Sequence, residues 1–443
     1  MEVLIEEIFT YGIVFAICAI IVVVYLRQYH RKSKEVEQKV AQAKEDGIWE
    51  PVSLYPHIDL NTCIGSGACI TACPEKDILG IVDGVATVVN TTNCVGHGAC
   101  FHACPVEAIT LRIGTESRGV DLPHVSENFE TNMKGIYIAG ELGGIGLIKN
   151  SVEQGCQAMA IIAKNKKPSK PDMLDVLIIG AGPAGISASL EAKKQGLTAL
   201  TLEQESLGGT VYTFPRSKIV MTAPMDLPLY GKAKLTTTSK DELISLWEKV
   251  IEENDLKINE NTKVEKIIPQ KEGTFKLVTS EGDEYISNQV LLATGRRGSP
   301  RKLGVPGEDL PKVYYRLLEP ERIQDKDIVV VGGGDSAVES AMMLMEENRV
   351  TLSYRKDKFA RIKPKNREKI NQAIDEGKIE MRYNSNLVSI QEDRVLIKGE
   401  TGTDELPNDL VYVFAGGELP TKFLENIGIS ITRRFGHILK KHE

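Results

Sequence analysis

The chain has 443 residues, a formal net charge of −7, 26% charged residues and 42% hydrophobic residues. That length is too great for one core and points to three or so domains. The acidic balance gives no support for nucleic-acid binding, and the cysteine spacing shows no disulfide framework, which fits a reducing compartment.

The first element is the run from Ile8 to Leu26, 19 residues without a charge and long enough to span a bilayer as a helix. Glu2, Glu6 and Glu7 precede it; Arg27, Arg31, Lys32 and Lys34 follow it. A secretory signal has the opposite order, with its basic residues first and a small-residue cleavage site last. The expectation is an uncleaved anchor over residues 1–30 in the cell inner membrane, single-pass, with everything after it cytoplasmic. Residues 31–56 are charged and helix-prone and read as a stalk, broken by Pro51 and Pro56.

Residues 63–105 contain a doubled pattern. CIGSGACITACP is followed, after a spacer, by CVGHGACFHACP. The two-cluster ferredoxin pattern is C-x2-C-x2-C-x3-C-P, with the fourth cysteine serving the other cluster. Residues 57–115 resemble that family, except that Ser66 and His97 stand at the second cysteine of each half. The resemblance implies one iron–sulfur cluster on Cys63, Cys69 and Cys104, and another on Cys94, Cys100 and Cys73. His97 could add an imidazole and Ser66 an oxygen, or neither ligates, so [4Fe-4S] and [3Fe-4S] forms both stay open. A zinc site is the bland alternative, but zinc has no need of the paired C-x3-C-P arrangement.

A strand MLDVLIIG leads into GAGPAG, with Gly180, Gly182 and Gly185; a helix and a second strand ending at Glu203 follow. Strand, glycine loop, helix, strand and acid together form a dinucleotide site. The backbone approaches the pyrophosphate, and the acid accepts from a ribose diol. Residues 327–354 repeat the pattern with Gly332, Gly334 and Ala337, but Tyr354, Arg355 and Lys356 replace the acid. From Arg355 to Lys369 there are eight basic residues and two acids. A basic residue there suits the 2′-phosphate of NADPH better than NADH, although a charged solvated face has the same composition.

Two such units, the second inserted after the strand end Ala293-Thr294-Gly295, resemble the thioredoxin-reductase-like flavoproteins over residues 116–430. The segment with Gly208 and Gly209 matches the family's flavin-proximal segment. The resemblance implies FAD in the first unit, nicotinamide in the second, and an α/β fold of two Rossmann-like, three-layer domains behind the anchor and a small α+β ferredoxin domain. The family's FAD-closing segment is matched by Thr131 and GIYIAGE, with Gly140 and Glu141, ahead of the first glycine loop. The flavoprotein therefore reads as circularly permuted, with residues 165–172 as the joint. The expected boundaries are a closing segment 116–168, an FAD domain 172–299, a NAD(P) domain 300–408, and a return strand to the FAD domain plus tail over 409–443.

The family's C-x-x-C is missing before the second loop. Cys156, in a helical stretch, reads as a structural thiol. FAD converts between two-electron hydride and one-electron carriers. The expected function is a membrane-anchored NAD(P)H-dependent oxidoreductase passing electrons between NADPH, FAD and two iron–sulfur clusters and an unknown partner protein or quinone, with no general acid or base nominated. A disulfide or quinone reductase with the clusters as relay, and an iron–sulfur redox sensor, are the alternatives. No nucleic acid is expected, and a homodimer stays open.

Overall fold

A computed structural model describes the chain except residues 1, 46–48, 50, 52–53, 76, 92–93, 95, 97, 118, 167–172, 215–218, 222–223, 236, 297, 360–361, 401 and 443. The described chain forms two compact units: Met1–Arg118 with Phe435–Glu443, and Gly119–Arg434.

The first unit begins with one helix, Glu2–Glu45. The residues expected as anchor and stalk thus share one helix as far as Glu45, because nothing between Ile13 and Glu45 breaks a helix: no proline, no glycine. Its apolar part is exposed throughout, from Tyr11 to Leu26. Its later part packs on the hairpin of strands Leu79–Val82 and Val85–Val88. Ser33 Oγ accepts from the Asp83 N–H at 3.1 Å, and Lys39 pairs with Asp77 at 2.6 Å. Gly80 is required there, since a Cβ would lie 2.5 Å from Val36 Cγ1.

The rest of this unit is a repeat. Helices Ala68–Ala72 and Ala99–Ala103 each follow a left-handed glycine, Gly67 (φ 71°) and Gly98 (φ 73°). Each ends in an extended cysteine, Cys73 (φ −73°, ψ 119°) and Cys104 (φ −74°, ψ 114°). Strand Tyr55–Ile58 pairs antiparallel with Ile109–Ile113, Tyr55 opposite Arg112. The other edge of Ile109–Ile113 carries His437–Lys440, also antiparallel. The His442 ring stacks on Phe101, centroids 3.7 Å apart and planes 10° apart. The tail therefore belongs, from Phe435 on, to the ferredoxin-like unit. It covers an edge that two four- or five-residue strands would leave open.

The second unit holds two dinucleotide-type folds. In the first, a seven-stranded sheet has a parallel centre of Ile258–Asn259, Ala199–Leu202, Leu174–Ile179 and Glu284–Leu292, continued by antiparallel Phe275–Thr279 and Val264–Pro269. Ile136–Ile138 also pairs in parallel with Glu284–Leu292, Ile136 opposite Val290. Residues 119–165 are thus built into this unit rather than trailing from the ferredoxin-like one. Continuous apolar runs such as VLII suit strands covered on both faces. Helices Ile148–Lys164 and Pro183–Lys194 cover one face and pack closely, because a Cβ on Gly155 would lie 2.1 Å from the Ala184 carbonyl oxygen.

The second fold is a five-stranded parallel sheet ordered Val313–Tyr314, Leu410–Val413, Asp327–Val331, Arg349–Ser353, Ile379–Arg382. Leu410–Val413, expected to return to the FAD domain, is instead an inner strand here. Its residues Val411, Tyr412 and Val413 are all buried, which only an interior position permits. The chain rejoins the first core later, through Leu424, Ile427 and Ile429 of and just after helix Thr421–Ile427.

Candidate redox sites

The six cysteines of the doubled pattern fall into two sets. Cys63, Cys69 and Cys104 line one cavity, together with Ser66. Cys73, Cys94 and Cys100 line another. Each set takes two cysteines from one half and the last cysteine of the other, because each short helix delivers its final cysteine to the opposite side. Among the described residues, no three Cys, His, Asp or Glu side chains converge as they would on a single ion. Three thiols around a cavity suit a cluster better than a zinc ion. Burial pushes the Cys100 thiol up to about 12, with Cys94 and Cys73 adding to it, and pushes Cys94 up to about 11. Such thiols ionise readily only against a bound cation, so the donors fit an iron site. Backbone N–H groups of Ala86 and Ala108 donate to Cys63 and Cys104 sulfur at 3.3 Å, the kind of contact that tunes a cluster's potential. Ser66 is exposed, and its Oγ accepts from the Ala68 N–H at 3.5 Å. His97 lies outside the described residues.

The first glycine loop sits at the C-terminal ends of Leu174–Ile179 and Ala199–Leu202. Gly180 has φ 105°, and a Cβ there would lie 2.6 Å from the Ala293 oxygen and 3.1 Å from the Thr294 nitrogen. A Cβ on Gly185 would lie 1.8 Å from the Gly180 oxygen. Gly182 caps the helix start, with Pro183 at the first position and no atom within 4 Å of a Cβ. That open cradle at a helix N-terminus fits a pyrophosphate. Gly208 donates its N–H to the Ala181 oxygen at 3.0 Å, and a Cβ on Gly209 would reach Gly182 Cα at 3.4 Å. Gly140 (φ 81°) packs on Ala184, and its N–H donates to Gln154 Oε1 at 2.9 Å. Glu141 follows it in the same short turn, and Gly295 follows Thr294. The fold therefore brings together Gly140, Gly180, Gly182, Gly185, Gly208, Gly209 and Thr294.

Glu203 is buried and already engaged. One carboxylate oxygen accepts from the Ala181 N–H at 2.7 Å, the other from the Glu205 N–H at 3.0 Å. Burial raises its pKa, and these two donors oppose the rise. A carboxylate has about four acceptor sites, so capacity remains for a ribose hydroxyl. The bracing of the glycine loop was invisible in the sequence, since the strand–acid spacing looks the same with or without it.

In the second fold, Gly332 (φ 144°) abuts the Phe414 oxygen, 2.6 Å from a Cβ, and Ala337, 3.0 Å. Gly334 caps helix Asp335–Leu344. The Tyr354 ring lies over Gly333, where a Cβ would come within 2.1 Å, and it stacks on Phe359 at 5.6 Å. Arg355 and Lys356 are exposed at the end of Arg349–Ser353. Asp335 Oδ1 accepts from the Lys363 N–H at 2.9 Å and from Asn366 Nδ2 at 2.7 Å, tying the basic segment to this helix start. Sequence reasoning missed Asp335 and Tyr354 as organisers of the loop. Arg355→Ala should raise KM for NADPH roughly ten- to a hundredfold more than for NADH, the loss of a charge-assisted pair, read from KM for both nucleotides.

Residues 55–105 match the 4Fe-4S dicluster domain. Residues 177–442 match the family described as pyridine nucleotide-disulphide oxidoreductase. A bacilliredoxin reductase from Bacillus subtilis is 31% identical over 59% of this chain and 82% of its own length. A ferredoxin–NADP reductase from Ignicoccus hospitalis is 34% identical over 42% of this chain, and the match spans 58% of that protein. Among solved structures, a bacillithiol disulfide reductase from Staphylococcus aureus is 26% identical with a TM-score of 0.51, over 60% of this chain and 85% of that one. One from Bacillus cereus is 25% identical with a TM-score of 0.52, over 61% and 86%. The chain belongs to the pyridine nucleotide-disulphide oxidoreductase family of FAD-dependent NAD(P)H oxidoreductases, and it carries a 4Fe-4S dicluster domain ahead of the family's own segment.

Proposed function

We propose that the protein is a membrane-anchored oxidoreductase that exchanges electrons between NADPH and an acceptor by way of FAD and two iron–sulfur clusters. The observation that carries this reading is the crossed sorting of six cysteines into two three-thiol cavities in a chain that also has two dinucleotide folds. When bound, FAD supplies the conversion of a hydride into single electrons, and the clusters supply one-electron carriers. Gly180, Gly182 and Gly185 would hold the flavin's pyrophosphate at a helix N-terminus, Glu203 would accept from its ribose, and Glu141 of the closing segment would complete the site. Gly332, Gly334, Arg355 and Lys356 hold the nicotinamide nucleotide. Cys63, Cys69 and Cys104 hold one cluster, and Cys73, Cys94 and Cys100 the other. The helix Glu2–Glu45, apolar enough to cross a bilayer, anchors the chain with its basic flank in the cytoplasm. We read the pairing of Ile136–Ile138 with Glu284–Leu292 as a circular permutation of the FAD domain, whose joint at 165–172 lies mostly outside the described residues.

Disulfide chemistry is disfavoured at the one cysteine outside the clusters and the apolar helix. Cys156 points at Glu191 Oε2, 3.6 Å away, and burial, with Glu191 assisting, pushes it up to about 11. A thiol that stays protonated is a poor nucleophile. Anaerobically purified protein should release FAD, contain iron and sulfide, and reduce a one-electron dye with NADPH at steady state. A flavoprotein without iron, or one that turns over only with a disulfide, would overturn the proposal.

A further inference from the structure

The ferredoxin-like unit presents one cluster loop at the level where its anchor helix leaves the apolar run. Along that helix, Tyr29, Ser33, Val36 and Lys39 meet Gly84, Asp83, Gly80 and Asp77 in turn. The turn at Asp83-Gly84 therefore faces the membrane end of the helix. The cluster loop sits on that turn: a Cβ on Gly65 would lie 1.9 Å from the Gly84 oxygen. From this loop project Leu60, 61% exposed, and Ile64, 65% exposed, on either side of Cys63.

Distances fix the level. At 1.5 Å per residue the uncharged run is about 28 Å long, against a hydrocarbon core of about 30 Å, so there is no slack to move Leu26 far from the core boundary. Tyr29 is then about 4.5 Å beyond the boundary and Ser33 about 10 Å. The headgroup layer is about 5–8 Å deep. Tyr29, Gly84 and Gly65 fall within it or at its rim, and tyrosine favours that layer.

We propose that the loop at residues 60–66 rests on the bilayer surface, with Leu60 and Ile64 as its lipid contacts, and that the protein serves a lipid-soluble quinone drawn from that bilayer. This rests on the anchor reading given above. Two exposed aliphatic side chains beside a redox site are costly in water and favourable at a lipid surface. The overall change balances: NADPH yields two electrons and one proton as hydride. The quinone takes two electrons and two protons and leaves as quinol, the second proton coming from water on the cytoplasmic side.

The test uses the full chain in vesicles. Leu60→Trp should show at least twofold more tryptophan quenching by brominated lipid than the wild type, whose two tryptophans set the background. Leu60→Asp should lower NADPH-driven reduction of a long-chain quinone at least fivefold, with reduction of ferricyanide held within twofold. No added quenching, or an unchanged quinone rate, overturns the inference. A parallel fall in both rates also overturns it, because Leu60 would then be supporting the cluster site. A chain that fails to float with the vesicles at all instead defeats the anchor reading itself.

Discussion

Gly185→Val should yield a protein that retains no flavin. Position 185 lies inside the first helix after the glycine loop, and a Cβ there would overlap the Gly180 oxygen at 1.8 Å. Both partners are rigid: Gly180 is itself pinned against the end of the strand Glu284–Leu292, and Ala293 donates its N–H to the Ile179 oxygen at 2.8 Å. The helix must therefore back away from the sheet, at a cost of about 3 kcal/mol or more for overpacking. Its N-terminus moves with it, and the pyrophosphate cradle goes. The readouts are the flavin-to-protein absorbance ratio and the thermal midpoint, both expected to fall. Gly182→Ala makes the informative contrast. Its Cβ meets nothing within 4 Å and its φ of −78° suits alanine, so the fold should persist. Flavin affinity should still drop, because the methyl enters the space a phosphate needs. Full flavin retention in both variants would falsify the assignment of this loop.

Cys73→Ala should remove the iron held by the second half of the doubled motif, although Cys73 is in the first half. It lines the cavity of Cys94 and Cys100. Cys104→Ala should likewise remove the iron of Cys63 and Cys69. Each variant should lose about half the iron and one of two EPR signals, with Cys73→Ala and Cys94→Ala erasing the same signal. If Cys73→Ala instead erases the signal that Cys63→Ala erases, the crossing is wrong.

The crossing was legible because the doubled pattern resembles the two-cluster ferredoxins, whose fourth cysteine serves the other cluster, and here a five-residue helix carries the chain from one cavity to the next. The glycine loops were legible for a similar reason, being local in sequence. What escaped was non-local. Nothing in HILK announces a strand, since four residues gain sheet structure only from a partner; here that partner is Ile109–Ile113. Likewise Leu410–Val413 looked like a strand of the correct type but could not reveal its neighbours. Gly80 belongs to no motif in the sequence, and its reason is Val36, far away in the sequence. Glu203 was placed correctly at its strand end, yet its two backbone donors depend on how the glycine loop folds back.

The strand His437–Lys440 has a consequence for biogenesis. Its partner, Ile109–Ile113, leaves the ribosome roughly 320 residues earlier, an interval of roughly 15–60 s at ordinary elongation rates. During that interval the small sheet lacks its third strand and Phe101 lacks the ring of His442. The nascent thiols Cys100 and Cys104 flank that bare ring. The small sheet of this unit is therefore completed only after the whole flavoprotein segment has been made.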